Sequence, residues 1–257
     1  ASVPGFRRSI EVHLVETSPT LRARQADTLS DVQPVWHESI DSVPAGPTIL
    51  IANEFFDALP VRQLIRTDGG WAERCVGISP DDALCFVEVP DADDHDASAP
   101  PQIRPGDEFE ICPAAMVFID KFAARLSPYP GSALIIDYGY ERPASGDSLQ
   151  AVRNHAFADV LAEPGNADLT AHVDFGAFAR AAGDVAVHGP VEQGVFLERL
   201  GIGERSRTLM ESASPRLREA VEAAHRRLTG PAEMGQLFKV VALTGRNAPP
   251  PPGFEAP

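Results

Sequence analysis

Asn53, Glu54 and Asp57 stand together at the end of a short apolar run, Ile49-Leu50-Ile51-Ala52, with Phe55 and Phe56 between them. Carboxylates in such a place can accept charge-assisted hydrogen bonds from a bound group. An apolar run without alternation suits a strand buried on both faces, and open α/β sheets bind ligands just beyond the carboxyl ends of such strands. The cluster therefore reads as a site, with Phe55 and Phe56 as possible walls. For Asn53 or Asp57 taken singly, a capped strand-to-helix turn is the competing reading. A second apolar run, Ser132 to Ile136, likewise ends in Asp137-Tyr138-Gly139-Tyr140.

Glu16 is a further signal. It follows the strand-like Ile10 to Val15, and its two oxygens match the two hydroxyls of a ribose. An exposed Glu beside a helix start is also stabilised by the helix dipole, which is the alternative. A glycine-rich turn usually accompanies such a ribose contact. Only Ala1 to Arg8, with the single Gly5, precede it, and Gly201-Ile202-Gly203 lies late and lacks a third glycine.

The elements that must position these residues follow in order. Ser18 at an N-cap and Pro19 at the first helical position predict a helix to about Ser30. Gln33 to Trp36 predicts a strand leading to His37-Glu38-Ser39-Ile40. Val61 to Arg66, Trp71 to Ile78 and Leu84 to Val89 alternate as an antiparallel meander, followed by an acidic, proline-rich loop. A helix from Pro113 to about Leu126 places Met116, Ile119, Phe122 and Leu126 on one face. Glu141 to Thr170 reads as a long loop. Helices at Asp174–Ala182, Gln193–Leu200 and Glu204–Glu211, a strand at Asp184–His188 and a last strand at Leu237–Leu243 complete the pattern. Ser214-Pro215 starts one more helix, whose Leu217, Val221, Ala224 and Leu228 form a core stripe. The tail from Pro249 reads as disordered. The expected organisation is a first part of an α/β core over 1–60, an antiparallel insertion over 61–105, the rest of the core over 106–245, and a proline-rich tail over 246–257.

Composition narrows the function. The 257 residues carry a formal charge of −15, which argues against a broad nucleic-acid surface. No apolar run approaches the ~20 residues of a membrane helix. Cys75, Cys85 and Cys112 form no CxxC and no disulfide framework, which fits a reducing, cytoplasm-like compartment. The histidines form no HxxxH or HExxH, and Asp91-Ala92-Asp93-Asp94-His95-Asp96 reads as a solvated acidic loop, so no metal site is expected.

Val15-Glu16-Thr17-Ser18-Pro19, Trp36-His37-Glu38-Ser39, Ala52 to Gln63 around Asn53-Glu54-Phe55-Phe56-Asp57-Ala58-Leu59-Pro60, Ile136-Asp137-Tyr138-Gly139, Gly146-Asp147-Ser148-Leu149-Gln150-Ala151, Asp168 to Phe175, Gln193 to Leu197 and Met234 to Lys239 together resemble the MidA-like methyltransferases. This bacterial and mitochondrial family includes a respiratory complex I assembly factor. The resemblance runs from about Ile10 to Leu243. It implies a class I, Rossmann-like methyltransferase sheet with helices on both faces, an antiparallel β insertion, and S-adenosylmethionine (SAM) as cofactor. The family's glycine-rich SAM loop and N-terminal helical region correspond to sequence ahead of Ala1. For the mitochondrial branch the resemblance implies dimethylation of a protein arginine, with a complex I subunit as the protein partner and the mitochondrial matrix as the compartment.

On this resemblance the expected cofactor contacts are Glu16, Thr17, Glu38, Ser39, Ile40 and Asn53. Asn53, Glu54 and Asp57 are the expected catalytic residues, and Phe55, Phe56, Tyr138 and His172 the expected substrate contacts. A guanidinium is planar, permanently charged and offers a fork of donors, which carboxylates such as Glu54 and Asp57 can hold as a proton leaves. Packing for Tyr138 and a structural hydrogen bond for His172 are the alternatives. Gln150 and Asp174 rank below these. A nicotinamide dehydrogenase would need Tyr-x-x-x-Lys, and Tyr129, Tyr138 and Tyr140 have no lysine at that spacing. A non-catalytic assembly module on the same fold and a small-molecule methyltransferase remain the alternative functions; oligomeric state is not legible.

Overall fold

Strand β1 (His13–Val15) pairs in parallel with β2 (Val35–His37), Leu14 opposite Trp36, in a two-stranded sheet of its own. The computed structural model describes residues 5–255 and divides the chain into two units, Ala1–Gly46 and Pro47–Pro257. In the first, α1 (Phe6–Ser9) precedes β1, and α2 (Pro19–Thr28) joins the two strands. Its start follows the predicted cap: the Ser18 hydroxyl accepts the Leu21 N–H at 3.3 Å, with Pro19 at the first position. Beyond β2 a single 3-10 turn covers Ile40–Ser42.

The second unit is built on a five-stranded mixed sheet. β3 (Thr48–Asn53) runs parallel to a long strand over Gly131–Tyr140. The chain between them forms an antiparallel sheet of β4 (Arg62–Thr67), β5 (Gly70–Ile78), β6 (Leu84–Asp91) and β7 (Glu108–Ile111), ordered β6-β5-β4-β7. Three of these strands match the predicted meander. β7 was not anticipated, although Glu-Phe-Glu-Ile alternates; it pairs with β4 and supplies Phe109, buried with Leu64 and Trp71. Arg66 lies over the Trp71 ring at 4.8 Å, and Arg62 forks onto Glu73 at 2.8 and 2.9 Å.

Helix α3 (Pro113–Leu126) buries Ala115, Ile119, Phe122, Ala123 and Leu126, close to the expected face. It leads into β8 (Gly131–Tyr140), which outruns its neighbours: β3 pairs with Gly131–Ile136 and the two-residue β12 (Val173–Asp174) with Gly139 and Tyr140. Between β8 and β12 the sequence predicts a loop. The chain instead makes a three-stranded antiparallel sheet of β9 (Gln150–Arg153), β10 (Ala156–Ala158) and β11 (Asp168–Thr170), strands too short to show a period. Helix α4 (Phe175–Ala181) follows, capped by the Asp174 carboxylate on the Ala177 N–H at 3.1 Å. The sheet is completed by β13 (Ala186–Glu192) and β14 (Phe238–Thr244), the latter antiparallel to β8 and buried along its whole length. Between these two strands lie α5 (Gln193–Arg199), α6 (Ile202–Glu211), α7 (Pro215–Thr229) and α8 (Met234–Leu237). Among the described residues no helix is long and apolar enough to cross a membrane.

Three expectations are corrected. β3 is not buried on both faces, because Ile49 is 66% and Ile51 71% exposed among the described residues. The α7 stripe is not a core face: α7 turns His225 toward the buried Ser206 of α6, at 3.2 Å, and leaves Leu217 exposed. The tail from Pro249 is docked rather than disordered as far as Glu255, since Phe254 meets the Phe196 ring at 5.2 Å and Arg199 donates to the Gly253 carbonyl at 3.0 Å. Ala1–Pro4 and the last two residues, 256–257, lie outside the described residues.

The pairing of β8 with β12 depends on one close approach. A Cβ at Gly139 would lie 2.1 Å from the Val173 carbonyl oxygen, whereas one at Gly69 would meet nothing within 4 Å. Gly139→Ala should therefore lower unfolding free energy by about 2–4 kcal/mol in urea titrations, while Gly69→Ala stays within about 0.5 kcal/mol. Equal effects at the two positions would contradict the pairing.

Candidate active site at the carboxyl ends of two parallel strands

β3 ends at Asn53, and the chain then leaves β8 in the gap between the residues that pair with β3 and those that pair with β12. Glu54 still donates its N–H to the Ile136 carbonyl at 2.9 Å, but its φ is 49°. A non-glycine residue in the left-handed region is uncommon, and such conformations gather at functional sites. The twist exposes both Asn53 and Glu54, and the Asn53 amide donates to Glu54 Oε1 at 3.2 Å.

The next turn is fastened by Asp137. This residue is fully buried, and its Oδ2 accepts the N–H groups of Phe56 and Asp57 at 3.0 and 3.2 Å, while Oδ1 accepts that of Tyr138 at 2.9 Å. Burial, and then the Asp57 charge, push the Asp137 carboxyl up to about 7, against the pull of these donors.

Asp57 is 5% exposed. Its Oδ2 accepts the Tyr138 hydroxyl at 2.5 Å, and its backbone carbonyl accepts the Ala171 N–H at 3.0 Å. Its Oδ1 is buried with no hydrogen-bond partner among the described residues, an acceptor that normally carries a desolvation cost. Burial and the bond to Asp57 push the Tyr138 phenol up, so it stays a neutral donor. The Tyr138 ring meets His172 edge-on at 5.7 Å. Asn53, Glu54, Asp57, Tyr138 and His172 thus share one end of the sheet.

Phe56 departs from the expected role of a pocket wall. Phe56 is 2% exposed and packs on Phe118 at 5.5 Å and Phe178 at 4.9 Å; Phe55 packs on Phe118 at 5.0 Å and keeps partial exposure. Phe56 anchors the turn to α3 and α4 and is core.

A residue that the sequence reading did not single out frames the neighbouring loop. Glu110, on β7, is buried and accepts from the Gln63 side chain and from the N–H groups of Ser148 and Leu149, at 2.9 to 3.2 Å, and from the Ser148 hydroxyl. The Ser148 oxygen in turn accepts the His172 N–H at 2.8 Å. Glu110 sits at the polar register of the strand, on the face opposite Phe109 and Ile111, so the alternation carries no signal for its burial.

In the first unit Glu16 lies at the end of β1. Its Oε1 accepts the Ser18 N–H at 2.8 Å and its Oε2 the Gln25 amide at 3.3 Å. That supports a helix-start role, and each oxygen retains a second acceptor position. Thr17 and Glu38 are exposed, the Ser39 hydroxyl caps the 3-10 turn, and Ile40 is 6% exposed, so its side chain is core. Elsewhere Asp91, Asp93 and His95 bring ligand-type atoms within 4.8 Å, but Asp91 is committed to Arg62 at 2.6 Å and His95 at 2.9 Å.

A family model described as "Putative S-adenosyl-L-methionine-dependent methyltransferase" matches residues 1–191. The protein arginine methyltransferase NDUFAF7, mitochondrial, of Xenopus tropicalis is 36% identical over 276 residues, covering 95% of this chain and 64% of that protein. Its human counterpart is 35% identical over 260 residues, covering 91% and 58%. The chain thus spans less than two thirds of the length of these curated relatives. A Burkholderia thailandensis protein crystallised with S-adenosyl-homocysteine superposes with a TM-score of 0.81 at 29% identity, covering 95% of this chain and 66% of that one.

The raised Asp137 carboxyl has a stability consequence. A carboxyl of ordinary value near 4 in the unfolded chain, lifted to about 7 in the fold, favours the fold most when protonated. Stability should fall as pH rises from ~4 to ~7 and level off above, with Asp174, also raised by burial, contributing to the same slope. Asp137→Asn should cost about 1–3 kcal/mol near pH 5 and flatten the slope in urea titrations. A slope identical to that of the parent would contradict the assignment.

Proposed function

The chain belongs to this family of S-adenosyl-L-methionine-dependent methyltransferases, and from that premise we propose that it serves methyl transfer from SAM to an arginine of a protein. The observation that carries the reading is the buried Asp57 Oδ1, without a partner among the described residues, beyond the ends of two parallel strands and beside a Tyr138 hydroxyl that fixes the other oxygen. A carboxylate so held is an acceptor waiting for a donor.

The donor set of the chain fits the cofactor. Within the first unit, Glu16 has the two acceptor positions that ribose hydroxyls require. When bound, SAM supplies an electrophilic methyl group.

The protein's own part is alignment and charge. An in-line displacement needs the attacked nitrogen held in one direction, and rigid positioning supplies much of the rate. Glu54, twisted outward at the end of β3, and Asp57 accept the fork of guanidinium N–H groups, while Asn53 orients the reacting nitrogen. The proton released as that nitrogen becomes alkylated passes to a carboxylate of the pair. Asp137, buried and bonded to backbone, holds the turn and does not touch the substrate. We assign the protein a matrix location in mitochondrial lineages and a cytoplasmic one in bacteria, with an acceptor among the subunits of respiratory complex I.

Calorimetric titration of SAM into the full-length protein should show binding, and Glu16→Ala should weaken it roughly 10- to 100-fold. Unchanged affinity would remove Glu16 from the ribose. Glu54→Gln should leave that affinity intact and slow methyl transfer to protein at least about tenfold, read as methylarginine by mass spectrometry; undiminished turnover would remove the acidic clamp.

A further inference from the structure

A cavity of about 400 Å³ opens at the loop that follows β8, lined by Glu110, Tyr140, Asp147, Ser148, Gln150 and His172 among others. Its frame is built. Glu110 holds the backbone and hydroxyl of Ser148, Ser148 holds the backbone of His172, and Asp147 accepts from the Gln63 amide at 2.7 Å and from Arg74 at 2.8 Å. These groups are committed to the protein.

Three others are not. The Tyr140 hydroxyl, the Gln150 side-chain amide and the His172 imidazole nitrogens have no hydrogen-bond partner among the described residues, although all three line the same cavity. They come from three separate elements: the end of β8, the start of β9, and the turn between β11 and β12. Polar side chains that converge unpaired on a cavity with a fixed frame are the usual marks of ligand recognition.

The chemistry of the lining selects the ligand. No lysine or arginine is among the lining residues; Asp147 is already paired with Arg74, which leaves Glu110 as the acidic lining residue without an ion-pair partner among the described residues. The field reaches Tyr140, whose phenol is pushed up by burial first and then by the charges of Asp174 and Glu110. A cation is favoured there and an anion opposed. Three acceptors on separate elements (a phenol oxygen, an amide carbonyl and an imidazole nitrogen) suit a flat fork of donors better than a point charge. The His172 ring then touches Tyr138, whose hydroxyl sits on Asp57, which places the cavity one ring away from the proposed acceptor carboxylate.

We propose that this cavity receives the guanidinium group of a second arginine side chain of the protein substrate, neighbouring the one held at Glu54 and Asp57, through Tyr140, Gln150 and His172. The assignment rests on the reading of the chain as a protein arginine methyltransferase, but binding in the cavity needs neither cofactor nor turnover. The two are therefore separable.

The probe is blocked arginine, Nα-acetyl-arginine methylamide, titrated without SAM and followed by NMR. Its neutral isostere, Nα-acetyl-citrulline methylamide, and blocked lysine are the comparisons. Blocked arginine should bind at least about tenfold more tightly than either. Tyr140→Phe, which removes one oxygen, and Gln150→Ala should each weaken it by about tenfold with unchanged melting temperature. Citrulline binding as well as arginine, or both variants binding as the parent does, would overturn the assignment. Loss of methyl transfer in the full-length protein with this binding intact would fail the proposed function and leave the cavity standing. Methyl transfer to arginine with unchanged KM in both variants would do the reverse.

Discussion

The buried carboxylate of Asp137 is the constraint on which the site depends. Moving a carboxylate out of water costs several kcal/mol, and here that cost is offset by three backbone N–H groups rather than by a cation. Two of the three belong to the turn after β3, so the same bonds that satisfy the acid determine where that turn leaves the sheet. Asp57 then has little freedom. Its backbone is held by Asp137 and Ala171, and its side chain by Tyr138.

Glu110 applies the same device on a neighbouring segment. It lies on the antiparallel insertion, yet its donors are Gln63 on β4 and Ser148 and Leu149 on the loop that follows β8. The insertion is thereby tied to the segment beside His172. Two acids, each bonded to backbone from elsewhere, thus hold two neighbouring loops. Phe56 adds the apolar half of the clamp by packing on α3 and α4. Sites whose supporting shell is fixed in this way keep reacting groups in one geometry without cost at the moment of reaction.

Much of this was legible in the chain. The apolar runs that become β3 and β8 are broken by polar and aromatic residues where the sheet ends, and Ser18-Pro19 and Ser214-Pro215 mark helix starts through local hydrogen bonding. What escaped depends on distant partners. Glu110 and Ser148 are 38 positions apart, and nothing in either neighbourhood names the other. An apolar run carries no record of whether anything covers it, so Ile49 and Ile51 read as core and are exposed. A helical stripe has the same ambiguity, as α7 shows. Phe55 and Phe56 are adjacent and chemically alike, and only packing separates the core ring from the partly exposed one. The tail is proline-rich, but a single Phe254 against Phe196 is enough to dock it.

We propose that the Asp57 oxygen left without a partner among the described residues faces the methyl acceptor. This is tested most directly by single-turnover methyl transfer to an arginine-containing protein, comparing the full-length enzyme with its Asp57→Asn variant, alongside SAM affinity measured on the same samples. The variant should retain the parent's affinity for SAM, while its transfer rate falls at least about 100-fold. A transfer rate within a factor of about two of the parent, with affinity retained, would contradict the account.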